Sequence, residues 1–191
     1  MENSKHGLLI FVSGPSGVGK STVCNRLAKD LPAQFAVSAT TRVGKPQDQW
    51  GKQYLFVNEN EFKQRVANNE FLEYASVFGH WYGTLRQPVL DALALGRTVL
   101  LEIDIQGGIQ IGKMFPQAVG VFILPPGEEE LTRRLQERGR DEPEVIETRL
   151  RQAKQEIALA EQSGAYRIKV VNRVLEQTIA ELISFVKTIP R

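Results

Sequence analysis

The chain carries a single cysteine, Cys24, in 191 residues. One thiol excludes an intrachain disulfide and fits a reducing, cytoplasmic setting. Cys24 follows Val23 in a helical pattern and reads as a small core residue, not a nucleophile. No apolar run approaches the length needed to span a bilayer. Residues 1–7 lack the basic-then-apolar pattern of a secretion signal. The net charge is only +2, which argues against a dedicated nucleic-acid binder, since such proteins usually carry a basic face or stripe. No internal repeat or low-complexity tract is visible. The length fits one domain with room for insertions.

Residues 14–21 read GPSGVGKS, which is the phosphate-binding loop pattern of glycine, four residues, then Gly-Lys-Ser. Gly14, Gly17 and Gly19 let the backbone take conformations that a β-carbon forbids. Loop N–H groups then point at phosphate oxygens, at the start of a helix whose dipole favours anions. Lys20 is expected to reach the β- and γ-phosphates and Ser21 to offer its hydroxyl to Mg²⁺. The context agrees. Residues 8–12 are a short apolar run suited to a buried parallel strand. Val23, Leu27 and Leu31 follow at helix spacing.

Further along, candidate core strands are 98–103, 119–124 and 168–171, and candidate helices are 20–31, 86–95, 106–114, 128–138, 144–162 and 174–187. Thr84 and Gln87 have capping-box spacing, and Gly96 can close that helix. Strands alternating with helices predict a parallel α/β sheet with right-handed crossovers. Two stretches break the rhythm. The first holds a polar loop at 42–53, an extended segment at 54–57, a short helix near 59–68 and a strand-like 71–78. The second follows Pro125-Pro126 and carries Gly139 and Pro143 between two charged helices.

Taken one at a time, several polar residues have two readings. Arg134 and Arg138 share a helix face and could either meet phosphate or simply pair with Glu130, four residues before Arg134. Glu73 is either a reader of a base or an outward residue on a half-exposed strand. Asp104 and Glu102 lie on one face at the carboxyl end of an apolar strand, where open α/β sheets place ligands, or are buried structural carboxylates. Tyr54 and Tyr82 would ordinarily be core. His80, Trp50 and Trp81 read as local packing or surface.

Together these residues carry a resemblance. GPSGVGKST, Ser38-Ala39-Thr40-Thr41-Arg42, Phe71-Leu72-Glu73-Tyr74 and Trp81-Tyr82-Gly83-Thr84 occur in that order. Leu101-Glu102-Ile103-Asp104-Ile105-Gln106-Gly107, Arg134-Leu135, Arg138-Gly139 and Arg149-Leu150 follow. The chain resembles the guanylate kinases nearly end to end. The resemblance implies a P-loop, nucleoside-monophosphate-kinase-like three-layer α/β fold. Its core would be 1–35, 89–125 and 157–191, with a small mixed or antiparallel GMP-binding insertion at 36–88 and a helical lid at 126–156. It implies ATP-dependent phosphorylation of GMP, with Mg²⁺. ATP would be held by Gly14, Pro15, Ser16, Gly17, Val18, Gly19, Lys20, Ser21, Thr22 and Asn172. Lys20, Arg134, Arg138 and Arg149 would be catalytic. GMP would be held by Ser38, Arg42, Lys45, Tyr54, Glu73, Tyr82, Thr84 and Asp104. Ser21, with Glu102 and Asp104 acting through water, would hold the metal. The expected partners are these small molecules, with no nucleic acid or membrane, in a monomer or small homo-oligomer.

The chain departs from the family pattern after Thr40-Thr41-Arg42. Lys45 stands where a second phosphate-binding arginine is usual, followed by Gln47 and Asp48, with Gly44 where proline is common. Lysine keeps the charge but loses the bidentate fork. Arg173 stands where aspartate is usual. Two alternatives are a same-fold kinase for another phosphorylated acceptor, such as a ribose phosphate, and a non-catalytic guanylate-kinase-like binding module. A sugar phosphate needs no base reader, and binding modules typically lose the phosphate loop that Lys20 and Ser21 keep here.

Overall fold

The structure is a computed structural model that describes residues 7–44, 53–137 and 142–190. Its centre is a parallel sheet of β1 (Leu8–Ser13), β2 (Gln34–Phe35), β7 (Thr98–Glu102), β8 (Val119–Leu124) and β9 (Ile168–Val171), in the order β2-β7-β1-β8-β9. Every residue of β1 is buried. A strand covered on both faces has no polar side, which is why it reads as an unbroken apolar run.

The period-2 alternation of β1 sorts its side chains into two cores. Ile10 and Val12 pack with Val23 and Leu27 of α1 (Lys20–Asp30) and Leu182 and Val186 of α7 (Leu175–Lys187). Leu9 and Phe11 pack on the other face with Val89 of α3 (Arg86–Ala94), Ile111 of α4 (Ile105–Met114) and Ala160 of α6 (Pro143–Ser163). Fully burying a side chain such as Leu27 or Leu182 contributes about 2 kcal/mol. Helix, sheet and helix make the expected three layers. Cys24 is fully buried in the first core.

A second, mixed sheet has the order β4 (Tyr54–Phe56), β3 (Ser38–Thr40), β6 (His80–Leu85), β5 (Phe71–Val77). The β3–β4 pair is parallel, and β6 runs antiparallel to both β3 and β5. Helix α2 (Glu59–Ala67) covers it and starts where Asn58 accepts the Glu61 N–H at 2.9 Å. Phe62 stacks on Phe71 at 4.6 Å and on Trp81 at 5.9 Å between ring centroids. Trp81 is therefore a packing residue, as expected.

Helices α5 (Glu128–Glu137) and α6 share a cluster of their own, Leu131, Leu135, Ile146 and Ala153. Pro143 suits the first position of α6, and Gly164 at φ +66° ends it in the left-handed region. The helix is continuous, so its first half belongs with α5 and its second half with the core.

One local expectation fails, and one strand was not foreseen. Leu85, not Thr84, is the N-cap of α3, and no side chain among the described residues caps it. The Thr84 hydroxyl goes instead to Glu73, and the Gln87 amide donates to Asp91. A buried carboxylate without donors costs more than an uncapped helix end. Strand β2, only two residues long, was not expected, because its pairing with β7 is a tertiary event. Gly96 does close α3, at φ +72°.

Candidate active site

The loop at 14–19 joins β1 to α1, with Gly14, Gly17 and Gly19 at φ +155°, +90° and +98°. Gly19 is the N-cap of α1, no side chain among the described residues caps it, and the first turn carries no acidic residue. The first N–H groups and the positive end of the helix are thus left for an anion. Helix α5 rests on the loop, since a β-carbon on Gly17 would lie 2.9 Å from Leu135 Cδ2.

On one side of the loop lies a cleft of about 190 Å³. Gly14, Ser16, Lys20, Ser38, Tyr54, Glu73, Tyr82, Glu102 and Asp104 all line it, together with Phe78 and Glu156. The Lys20 ammonium turns back to donate to the carbonyls of Gly14 and Pro15. Burial lowers its pKa, and the charge of Glu102 is the largest effect opposing that. Ser21 Oγ donates to Glu102 Oε1 at 2.6 Å. Asp104 caps α4, accepting from the N–H groups of Gln106 at 2.7 Å and Gly107 at 3.3 Å. Burial raises the pKa of Asp104 and of Glu156, while Lys20 pulls both down.

Deeper in the cleft, Glu73 is only 4% exposed. Its Oε1 accepts from the Thr84 N–H at 3.1 Å and the Thr84 hydroxyl at 2.6 Å. Its Oε2 lies 2.2 Å from where a β-carbon on Gly107 would stand, so any larger residue at 107 would push the carboxylate from its place. Burial pushes the Glu73 carboxyl up to about 7, against the pull of the Thr84 hydrogen bonds. Ser38 Oγ is 3.5 Å from Thr84 Oγ1. Thr84 is fully buried behind Glu73 and reaches the cleft through it. Arg42 stands outside the lining, 5.5 Å from the Tyr54 ring centroid, with Nη1 donating to the Val43 carbonyl at 2.8 Å.

A second cleft, of about 350 Å³, opens on the other side of the loop, lined by Gly17, Gly19, Thr22, Arg134, Asn172 and Arg173 among others. Arg134 makes the expected pairing with Glu130 and also bonds to the protein backbone beside the loop. Its Nε donates to Glu130 at 2.8 Å, and its Nη2 donates to the Asn172 carbonyl at 3.0 Å. Asn172 Nδ2 in turn donates to the Val18 carbonyl at 2.8 Å, and Thr178 donates to Asn172 Oδ1 at 3.2 Å. From α6, Arg149 Nη1 donates to Ser16 Oγ at 2.6 Å. Lys45 and Arg138 lie outside the described residues.

Sequence reasoning missed Glu156, Phe78 and Gly107. Glu156 follows Arg149 by seven residues, the spacing of one helix face, and could have been found that way. Phe78 and Gly79 form the two-residue turn between β5 and β6, at φ +48° and +77°. Asparagine is the usual residue before glycine in such a turn. A phenylalanine held there costs on the order of 1 kcal/mol or more.

The comparisons with known proteins agree with this geometry. The family model described as guanylate kinase matches residues 6–189. A guanylate kinase of Fusobacterium nucleatum subsp. nucleatum is 41% identical, with 95% of this chain and 96% of that one covered. A guanylate kinase of Thermosynechococcus vestitus is 45% identical, covering 92% of this chain and 91% of the other. Among solved structures, guanylate kinase from Anaplasma phagocytophilum superposes with a TM-score of 0.80 at 33% identity, over 97% of this chain and 87% of that one. With family model, relatives and fold in agreement over nearly the whole chain, the protein belongs to the guanylate kinase family.

Proposed function

We propose that the chain transfers the γ-phosphoryl group of ATP to GMP, and to dGMP, giving ADP and the guanosine diphosphate. The observation that carries this reading is Glu73, a buried carboxylate in the same cleft as Lys20 of the phosphate loop. Guanine presents N1–H and N2–H₂ as adjacent donors, and one carboxylate accepts both. Adenine offers neither donor there. Such a reaction belongs to guanine nucleotide metabolism, and a reducing cytoplasm suits the lone buried Cys24. Among the described residues, no helix is long and apolar enough to cross a membrane.

An oxygen of the GMP phosphate attacks the γ-phosphorus, and the bond from that phosphorus to the β–γ bridging oxygen breaks. The attacking oxygen is already anionic, so no general base is needed. The work is to bring two anions together and to neutralise charge. Loop N–H groups and the α1 terminus hold the donor phosphates. Lys20 leaves the loop carbonyls for the transferring group. Arg134 and Arg149, with Arg138, meet the phosphates from the lid. Ser38, Asp104 and Thr84, the last through Glu73, support the base. Tyr54 and Tyr82, with Arg42 and Lys45, hold the acceptor phosphate. Asn172 and Thr22 border the donor nucleotide.

The Ser21 hydroxyl and the Glu102 carboxylate are hard oxygen donors already within hydrogen-bonding distance of each other. Mg²⁺ suits them, because it typically takes few protein ligands and shares phosphate oxygens. Asp104 spends one oxygen on capping α4, which suits a role through water. When bound, Mg²⁺ neutralises phosphate charge.

The hydrophobic clusters support a division into core (1–35, 89–125, 157–191), insertion (36–88) and lid (126–156). Each of the two smaller units has a cluster of its own. ATP turnover should be strong with GMP, measurable with dGMP and near background with AMP, CMP, UMP and ribose phosphates. Equal turnover with AMP or ribose 5-phosphate would sink the guanine reading. Hydrogen exchange with ATP and GMP bound together should show protection in both insertion and lid, and no protection in either would remove the closure.

A further inference from the structure

Phe78 occupies a backbone conformation that suits asparagine or glycine, at φ +48°. The residue is 47% exposed, so core packing does not account for it. Strain of this kind persists where a site uses it. The ring lines the cleft that holds Lys20 and Glu73, and the Arg149 guanidinium lies over it, 4.5 Å from the ring centroid. The same guanidinium donates to Ser16 Oγ in the phosphate loop at 2.6 Å. The tip of the β5–β6 hairpin and helix α6 therefore meet at this stack, beside the loop.

We propose that Phe78 is a positioning residue that holds Arg149 for phosphoryl transfer. Stacking uses the face of a guanidinium and leaves its in-plane N–H edges directed at oxygen acceptors. Phe78 also belongs to the unit that takes the acceptor, whereas Arg149 belongs to the lid. The ring thus holds the arginine from a neighbouring element. The proposal rests on the reading of Arg149 as a phosphate-contacting residue.

Phe78→Gly tests it without disturbing the turn, since glycine prefers this φ. Phe78→Gly should lower kcat about tenfold, an effect of the size expected from losing one stacked cation. KM for GMP should stay within about twofold. Phe78→Leu keeps much of the bulk without the π-face and should lose as much as Phe78→Gly, whereas Phe78→Tyr should restore the rate. In an Arg149→Ala background, Phe78→Gly should add no further loss, because the residue it positions is gone. A wild-type kcat for Phe78→Gly or Phe78→Leu, or an equal loss in both backgrounds, overturns the role of Phe78. A wild-type rate for Arg149→Ala overturns the phosphate reading of Arg149 itself.

Discussion

Replacing Lys20 by alanine should lower the rate of GMP phosphorylation by about 100-fold or more, with little change in folded stability. Among the described residues, the ammonium donates to carbonyls of its own loop, Gly14 and Pro15. Burial already disfavours its charge, as its lowered pKa records. Removing it relieves that desolvation, while losing two hydrogen bonds and the attraction of Glu102, Glu156 and Asp104, and the effects largely offset. In the reaction the balance differs. Phosphoryl transfer gathers negative charge in one place, and a fixed cation there acts without solvent rearrangement. Steady-state kinetics and thermal denaturation of the variant decide the matter. A wild-type rate would remove Lys20 from the chemistry. A melting temperature lowered by more than about 5 °C would show that its loop contacts are structural.

Glu73→Gln should move stability and function in opposite directions. Burial raises the Glu73 carboxyl from 4.5 to about 7. The folded protein then binds this proton more tightly than the unfolded chain does. The resulting stabilisation is fully present below pH 4.5 and is lost as pH rises through about 7. The shift corresponds to at most about 3 kcal/mol, which the ionised carboxylate costs the fold at pH 8. Glutamine stays neutral and still offers one oxygen to Thr84. The variant should be more stable by about 1–3 kcal/mol at pH 8, with the gain shrinking toward pH 5. GMP should bind about 10- to 100-fold more weakly, because an amide cannot accept from both N1–H and N2–H₂. For the unmodified protein, GMP binding should weaken as pH falls below about 7, where Glu73 takes up its proton. Denaturant titrations and calorimetry across this pH range test both halves. Unchanged GMP affinity would remove Glu73 as the base reader, and an absent stability gain would mean the carboxylate is better solvated than its burial indicates.

The features that could be read in advance are those governed by neighbours in the chain. The loop at 14–21 needs only its glycines, its lysine and the strand and helix beside it. Strands β1 and β8 announce themselves as apolar runs because both of their faces are covered. The spacing of Arg134 from Glu130 was enough to anticipate their ion pair, whereas its bond to the Asn172 carbonyl was not visible in it. What could not be read depends on where separate elements cross. Glu156 gains meaning only because α6 brings it into the cleft of Lys20. Phe78 gains it only because the hairpin tip reaches Arg149. Thr84 had the spacing of a cap and was taken by a buried carboxylate on the neighbouring strand.

The continuity of α6 has a mechanical consequence. Arg149 stands above the phosphate loop at one part of this 21-residue helix, and Ala160 is embedded in the core at another. Eleven residues of rigid rod, about 16 Å, connect them. The angular phase of Arg149 about the helix axis is thus set by an anchor in the main core. Each residue added or removed in that stretch would turn the arginine by about 100°. A loop of the same length would absorb such a change as slack, whereas this shaft converts it into a guanidinium aimed at solvent.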